Sequence, residues 1–326
     1  LKILLVRVSS LGDVLHNLPM VADILRHHPG ATIDWVVEEG YVSLVRLNPH
    51  VGKVIPFALR RWRKGLGDRA TRAELRGFFR ELRAEEYDYV FDTQGLIKTG
   101  IVMAAARTRP GGQKVGMANG TEGSGYEALS RIFHSRSVKV ERRAHAVARG
   151  REVAAAALGY RIDSGPDFGL PAPSEAERPD WLPAQDYAVF FHGTARDAKK
   201  WATANWIETG KALAPMAVLL PWGSPAEKQE AEAIAAALPN ARVLPKLSMM
   251  EAVTLARYAS LAIGVDTGLT HIAAAFVRPT VEIYCDSPKW KTEGNWSPRI
   301  VNLGEDKAPP CAPDVIAAAR ALLVGA

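Results

Sequence analysis

Short apolar runs rich in branched residues recur along this chain. They alternate with longer stretches whose apolar positions return every three to four residues. In the first half the runs are Ile3–Val8, Thr32–Val37, Lys53–Phe57, Asp88–Phe91 and a short one near Val115. Helical periodicity covers Val14–His27, Thr71–Glu85, Leu96–Arg107 and Arg143–Leu158. The alternation stops at Asp163–Pro183, where Pro, Gly, Ser and charge concentrate without either period, which is linker chemistry. It restarts with strands at Tyr187–Phe191, Ala217–Leu220, Arg242–Leu244, Leu261–Val265 and Thr280–Tyr284. The helices of this half fall near Thr203–Leu213, Pro225–Ala237, Ser248–Tyr258, Leu269–Phe276 and Pro313–Leu323. Strands followed by helices in this order predict parallel sheets with right-handed crossovers. The fold class is therefore α/β, with two doubly wound domains. The expected division is a first domain over 1–165, a linker over 166–184, a second domain over 185–312 and a C-terminal helix over 313–326. Ligands of such sheets bind outside the carboxyl ends of the strands, so residues that follow strands are the candidate site.

The length of 326 residues, beyond what one core usually organises, agrees with two domains. Lys and Arg number 41 against 35 Asp and Glu, and this net +6 favours an anionic ligand without requiring nucleic acid. Two cysteines, Cys285 and Cys311, make no disulfide framework and suit a reducing compartment. No stretch approaches the ~20 apolar residues of a membrane span. Leu1–Val8, interrupted by Arg7, reads as a buried strand and not as a signal peptide. There is no G-x-G-x-x-G after the first strand, no P-loop, no H-E-x-x-H and no His, Cys and carboxylate cluster at metal-ligand spacing. Nicotinamide chemistry, P-loop hydrolysis and zinc catalysis all lose ground, and no metal site is expected.

Four places carry candidate chemistry. Ser9-Ser10-Leu11-Gly12-Asp13 leaves the first strand and opens a helix, so Asp13 can either accept a proton from a bound hydroxyl or cap that helix. His192–Trp201 follows the first strand of the second domain. Its Thr194, Lys199 and Lys200 suit a phosphate, against the alternative of solvated loop lysines. Gly264–His271 runs from a strand through Asp266, Thr267 and Gly268 into a helix, which aims helix N–H groups at the sheet edge. An aspartate beside an anion is uncomfortable, so Asp266 either holds a sugar hydroxyl or orders the turn. His271 either bonds ligand or packs. Finally, Arg60-Arg61-Trp62-Arg63-Lys64 gathers four cations around one Trp in an expected loop. It could meet an anionic group or an anionic membrane, or be a solvated face.

Taken together, the segments SSLGDVLHNLP (9–19), WVVEEGY (35–41), VIPFALRRWRK (54–64), FDTQGLIK (91–98), LPWGSPAE (220–227) and VDTGLTH (265–271) resemble the ADP-heptose:lipopolysaccharide heptosyltransferases. These are glycosyltransferases of GT-B architecture, with two Rossmann-like domains facing across a cleft. The Arg-rich run and the DTQG segment look like the branch that adds the first heptose to Kdo2-lipid A. The resemblance implies an inverting transfer in which Asp13 is the general base toward a Kdo hydroxyl. By the same resemblance Lys199 contacts the departing diphosphate, with Thr194 beside it. Glu227 holds the adenosine ribose, and Leu247 stands where relatives have a Met lining the adenine site. Asp266, Thr267, Gly268 and His271 surround the diphosphate and heptose. Arg60, Arg61, Arg63, Lys64, Gln94 and Lys98 suit the anionic acceptor. No cofactor is implied, since ADP-heptose is the co-substrate. The expected location is cytoplasmic, peripheral on the anionic inner-membrane surface, without nucleic acid as partner. The alternatives are a second-heptose transferase, another nucleotide-sugar enzyme on the same fold, or a non-enzymatic binder of anionic lipid or nucleic acid.

Overall fold

In the computed structural model, which describes residues 1–324, the chain divides into a unit over Leu1–Gly169 and a second from Leu170 onward. The first unit runs β1 (Lys2–Val6), α1 (Leu11–His27), β2 (Thr32–Glu38), α2 (Val42–Arg46), β3 (Val51–Phe57), α3 (Leu59–Trp62), α4 (Arg69–Leu82), β4 (Glu86–Asp92), α5 (Ile97–Ala105), β5 (Arg107–Met117), β6 (Arg136–Val138) and α6 (Ala146–Leu158). Its six strands are all parallel, in the order β3-β2-β1-β4-β5-β6.

The second unit runs β7 (Tyr187–Phe191), α7 (Thr203–Ala212), β8 (Ala217–Leu220), α8 (Pro225–Ala236), β9 (Ala241–Val243), α9 (Met249–Tyr258), β10 (Leu261–Val265), α10 (Gly268–Ala275), β11 (Thr280–Tyr284), β12 (Ile300–Gly304) and α11 (Ala312–Val324). Its order, β12-β11-β10-β7-β8-β9, is the same winding, with every pairing parallel. Each sheet thus reverses direction once, between β1 and β4 in the first unit and between β7 and β10 in the second. The topology places a binding crevice outside the carboxyl ends of those strand pairs.

The central strands are buried on both faces, which explains their unbroken apolar sequences. In the first unit α1 packs along α6. Gly150 permits this approach, because a Cβ there would overlap the Asn17 amide. A buried ion pair fixes the register of the two helices: Arg151 donates to both Asp23 oxygens, at 2.6 and 3.0 Å. The C-terminal helix α11 is no separate layer. It lies against α7 and β11, with Val315 and Ala319 in the second unit's core. Residues 325 and 326 of the expected terminal segment lie outside the described ones.

Several details differ from the pattern reading. Strands β6 and β12, both at sheet edges, were not expected. β6 is only three residues, and β12 carries Asn302 and Gly304, so neither shows a clear apolar run. Strand β5 extends far beyond its expected core at Val115, through Pro, Gly and charge, with a register shift against β4. The expected basic loop holds the short helix α3, and Trp62 is no exposed aromatic. It is buried against Phe57 and Phe78, at ring-centroid distances of 5.6 and 5.4 Å, and its indole N–H donates to Glu74 at 3.1 Å. The expected linker is also tied down. Asn48 donates to the Phe168 carbonyl at 3.1 Å, while Arg257 and Tyr258 bond the carbonyls of Ala172 and Ser174 at 2.6 and 2.8 Å. No helix among the described residues is long and apolar enough to cross a membrane.

Candidate active site

At the edge of the first sheet, β1 ends and the chain turns into α1 with Asp13 in its first turn. The Asp13 carboxylate is held from both sides. Oδ2 accepts from the Ser10 N–H and hydroxyl at 3.1 and 3.0 Å. Oδ1 faces the guanidinium of Arg7 at 2.7 Å and that of Arg149 at 3.6 Å. Burial alone would raise the Asp13 pKa, but Arg7, then Arg149 and the Ser10 N–H, outweigh it and hold the carboxyl well below its usual range. Burial in turn lowers Arg149, assisted by Arg7 and opposed by Asp13, to about 10. Capping and charge-pairing therefore coexist at Asp13, which stays ionised at any working pH.

The six residues expected at the acceptor are put to different uses. Gln94 spends its amide on the β1–α1 loop, accepting from the N–H groups of Val8 and Ser9 at 2.9 and 3.3 Å and donating to the Ser9 hydroxyl at 3.2 Å. Its own turn is set by buried Asp92, which accepts from the Gln94 and Gly95 N–H groups at 2.9 and 3.0 Å. Lys98 reaches the Ser9 hydroxyl at 3.4 Å. Burial lowers its pKa, and Glu38, Arg60, Glu127 and Arg63 are the charges that act on it. Arg61 turns away, to Glu39 at 2.9 Å and Glu74 at 2.6 Å. Arg60, Arg63 and Lys64 are exposed.

At the edge of the second sheet a line of alternating charges crosses the β7–β10 reversal. Lys199 pairs with Oδ2 of Asp266, which also accepts from the Ser287 hydroxyl at 2.7 Å. Oδ1 meets Nε2 of His271 at 3.0 Å and the Thr292 hydroxyl at 3.2 Å. Nδ1 of His271 lies 2.8 Å from buried Glu282, whose other oxygen accepts from the Tyr284 hydroxyl at 3.0 Å and the Gly294 N–H at 2.9 Å. Burial would lower the His271 pKa, but Glu282 and Asp266 raise it to about 10, so the ring is an imidazolium. Burial would likewise raise Asp266, and His271 and Lys199 hold it well below the ordinary range. The discomfort of an aspartate beside an anion disappears, because two cations neutralise it.

Helix α10 begins at this point with Thr267 as N-cap and no side-chain cap. Its neighbours α8 and α9 each close with a Ser–Glu capping box, Ser224 with Glu227 and Ser248 with Glu251. The first-turn N–H groups of α10, like those of α7, carry no side-chain cap, and those of α10 lie next to the Asp266 pair. Glu227, expected at the ribose, accepts from the Gly223 and Ser224 N–H groups at 2.6 and 3.2 Å, and its carboxyl also covers Gly193. Thr194 precedes Lys199 on the same loop, and Leu247 is half-buried just before α9.

The model of glycosyltransferase family 9 (heptosyltransferase) matches residues 75–319. Lipopolysaccharide heptosyltransferase 1 of Pseudomonas aeruginosa is 40% identical over 316 residues, covering 96% of this chain and 86% of that one. The chain belongs to glycosyltransferase family 9. Among solved structures it is similar to the E. coli heptosyltransferase WaaC with ADP, at a TM-score of 0.84 and 32% identity over 99% of this chain and all of that one. The same enzyme with ADP-2-deoxy-2-fluoro heptose matches at a TM-score of 0.79 over 100% of this chain and 99% of that one, also at 32% identity.

Sequence reasoning missed several residues of this family 9 glycosyltransferase. In the sequence Arg7 shows only as an interruption of a strand, and Arg149 is one of several arginines in a helix. Glu282 did leave a signal, as a carboxylate inside the apolar strand sequence TVEIY. Ser287 and Thr292 lie in an irregular segment, where no periodicity predicts which way a side chain points. Arg196 anchors that segment by donating to the Asp286 carbonyl and carboxylate at 2.8 and 2.9 Å.

Proposed function

We propose that this glycosyltransferase moves heptose from ADP-heptose to a Kdo hydroxyl of Kdo2-lipid A, inverting the anomeric carbon, in lipopolysaccharide inner-core synthesis. The observation that carries the donor half is the Lys199–Asp266–His271–Glu282 chain beside the uncapped start of α10. Asp266 uses one donor of the Lys199 ammonium and orients it, leaving two for the departing diphosphate. Charge-assisted contacts of this kind contribute ~1.5–3 kcal/mol each, and they gain as ADP develops charge. The solved relatives carrying ADP and a fluorinated ADP-heptose support this donor. Thr194, Glu227, Leu247, Thr267 and Gly268 complete the proposed donor site.

Asp13 is the proposed base. Its depressed pKa makes it weak toward a free hydroxyl, but the attacking oxygen becomes strongly acidic as its bond to the anomeric carbon forms. A weak carboxylate then suffices late in the step. Arg7 and Arg149 keep the carboxylate ionised and aimed. Lys98, Arg60, Arg63 and Lys64 would attract the Kdo carboxylates and lipid phosphates, while Gln94 and Arg61 would act by ordering their neighbours. Both Asp266 oxygens are already committed to protein partners, so we assign the neutralising charge to Lys199 and α10 and no role to a divalent ion. Because the acceptor is lipid-borne, the enzyme would work peripherally on the cytoplasmic face of the inner membrane. Incubation with ADP-heptose and Kdo2-lipid A should give a mass gain of a single heptose. No gain, or gain only on an acceptor already carrying heptose, overturns this reading.

A further inference from the structure

We propose that the seam between α5 and the 3-10 turn Ala128–Phe133 is a bilayer-docking surface for anionic lipid. This deepens the acceptor reading and rests on it for the lipid character of the acceptor. Ile97 and Ile101, one helical turn apart on α5, are 37% and 48% exposed, and Leu129 and Ile132 on the turn are 65% and 73% exposed. The two elements form one shelf. The Phe133 ring sits over Gly100, where a Cβ would overlap it, and the Glu127 carboxylate accepts from the Ile97 N–H at 2.6 Å. Four large branched side chains around one seam are more than scattered exposure, and such patches mark interaction sites.

The charges around the seam select the partner. Arg131 projects between Leu129 and Ile132 in sequence and is exposed. Lys98 lies between Ile97 and Ile101 and shares its field with Arg60 and Arg63. Of the two acidic groups in that field, Glu127 is engaged by a backbone N–H and Glu38 is buried. Apolar side chains rimmed by Arg and Lys match the boundary between acyl chains and anionic headgroups. The patch also adjoins Lys98, which faces the Asp13 loop, so docking would present that loop to a sugar standing on the membrane.

The test is co-sedimentation of the full chain with phosphatidylglycerol/phosphatidylethanolamine vesicles containing no acceptor. The double variant Leu129→Glu, Ile132→Glu should bind about tenfold more weakly, while retaining turnover on a deacylated, water-soluble Kdo acceptor. Ile132→Trp should bind more tightly than the parent, since Trp favours the interface. Parent-like sedimentation of the double variant overturns the proposal, and so does loss of its turnover on the soluble acceptor. Failure of the parent to transfer heptose to either acceptor strikes the functional reading alone, because vesicle binding is read without donor or acceptor.

Discussion

Asp13 combines two demands that oppose each other. A carboxylate flanked by Arg7 and Arg149 is held ionised and still, yet each arginine weakens its pull on a proton. Asp13→Asn should therefore lower kcat by ~10²–10⁴ with ADP affinity little changed, measured by steady-state kinetics and calorimetry. Its depressed pKa sets the sign of the acid limb. The group stays charged as pH falls through the ordinary carboxylate range, so the parent's kcat/KM should show no decline near pH 4–5 from this residue. A limb in that range that disappears in the asparagine variant would contradict the assignment. At the other sheet edge, Lys199→Ala should weaken ADP by about tenfold to a hundredfold in a calorimetric titration. Unchanged affinity would remove Lys199 from the diphosphate.

At the scale of elements, α10 and β11 are joined by the His271–Glu282 pair, and that junction titrates. The folded-state pKa of His271 lies at about 10, above its ordinary 6.5, so protonation favours the folded form. Its contribution is fully present below about pH 6.5 and is lost as pH rises through about 10. Asp266, shifted the other way, contributes above its ordinary 3.8 and loses that contribution only well below it. Thermal melts should show stability falling between pH 7 and 10, and His271→Gln should flatten that slope. Equal slopes in both proteins would mean the imidazolium is absent. The pairing also shows why a helix can begin without a side-chain cap here. Its N-cap Thr267 is flanked by Asp266, whose carboxylate is spent on Lys199, His271, Ser287 and Thr292 and so does not cap the first turn.

For the whole molecule, the same winding appears twice, and each copy has its candidate residues at its own reversal point. Asp13 follows β1 and the Gln94 turn follows β4. Lys199 follows β7 and Asp266 follows β10. In the proposed transfer, Lys199 and the start of α10 supply the positive charge that offsets the leaving ADP. Transfer should therefore continue in the presence of EDTA, followed by product mass. Complete loss restored by a divalent ion would show that Lys199 and α10 do not suffice.

The amino-acid order alone determined the two windings, because an unbroken apolar run and a 3.6-residue period are local properties of the chain, and the central strands are buried on both faces and so apolar throughout. It also marked Asp13, Asp266, His271 and the Lys199–Lys200 pair as candidates, since each follows a strand in a short, chemically distinctive run. Edge strands β6 and β12 stayed hidden because a strand paired on one side needs little apolar sequence. Only tertiary structure decided that Arg7 and Arg149 share Asp13, that Trp62 packs inward, and that Glu282, Ser287 and Thr292 converge on the His271–Asp266 pair. Those partners lie many residues apart. Their meeting depends on helix register and strand order, as when Gly150 and the Asp23–Arg151 pair bring α6 against α1, and no local pattern encodes such distances.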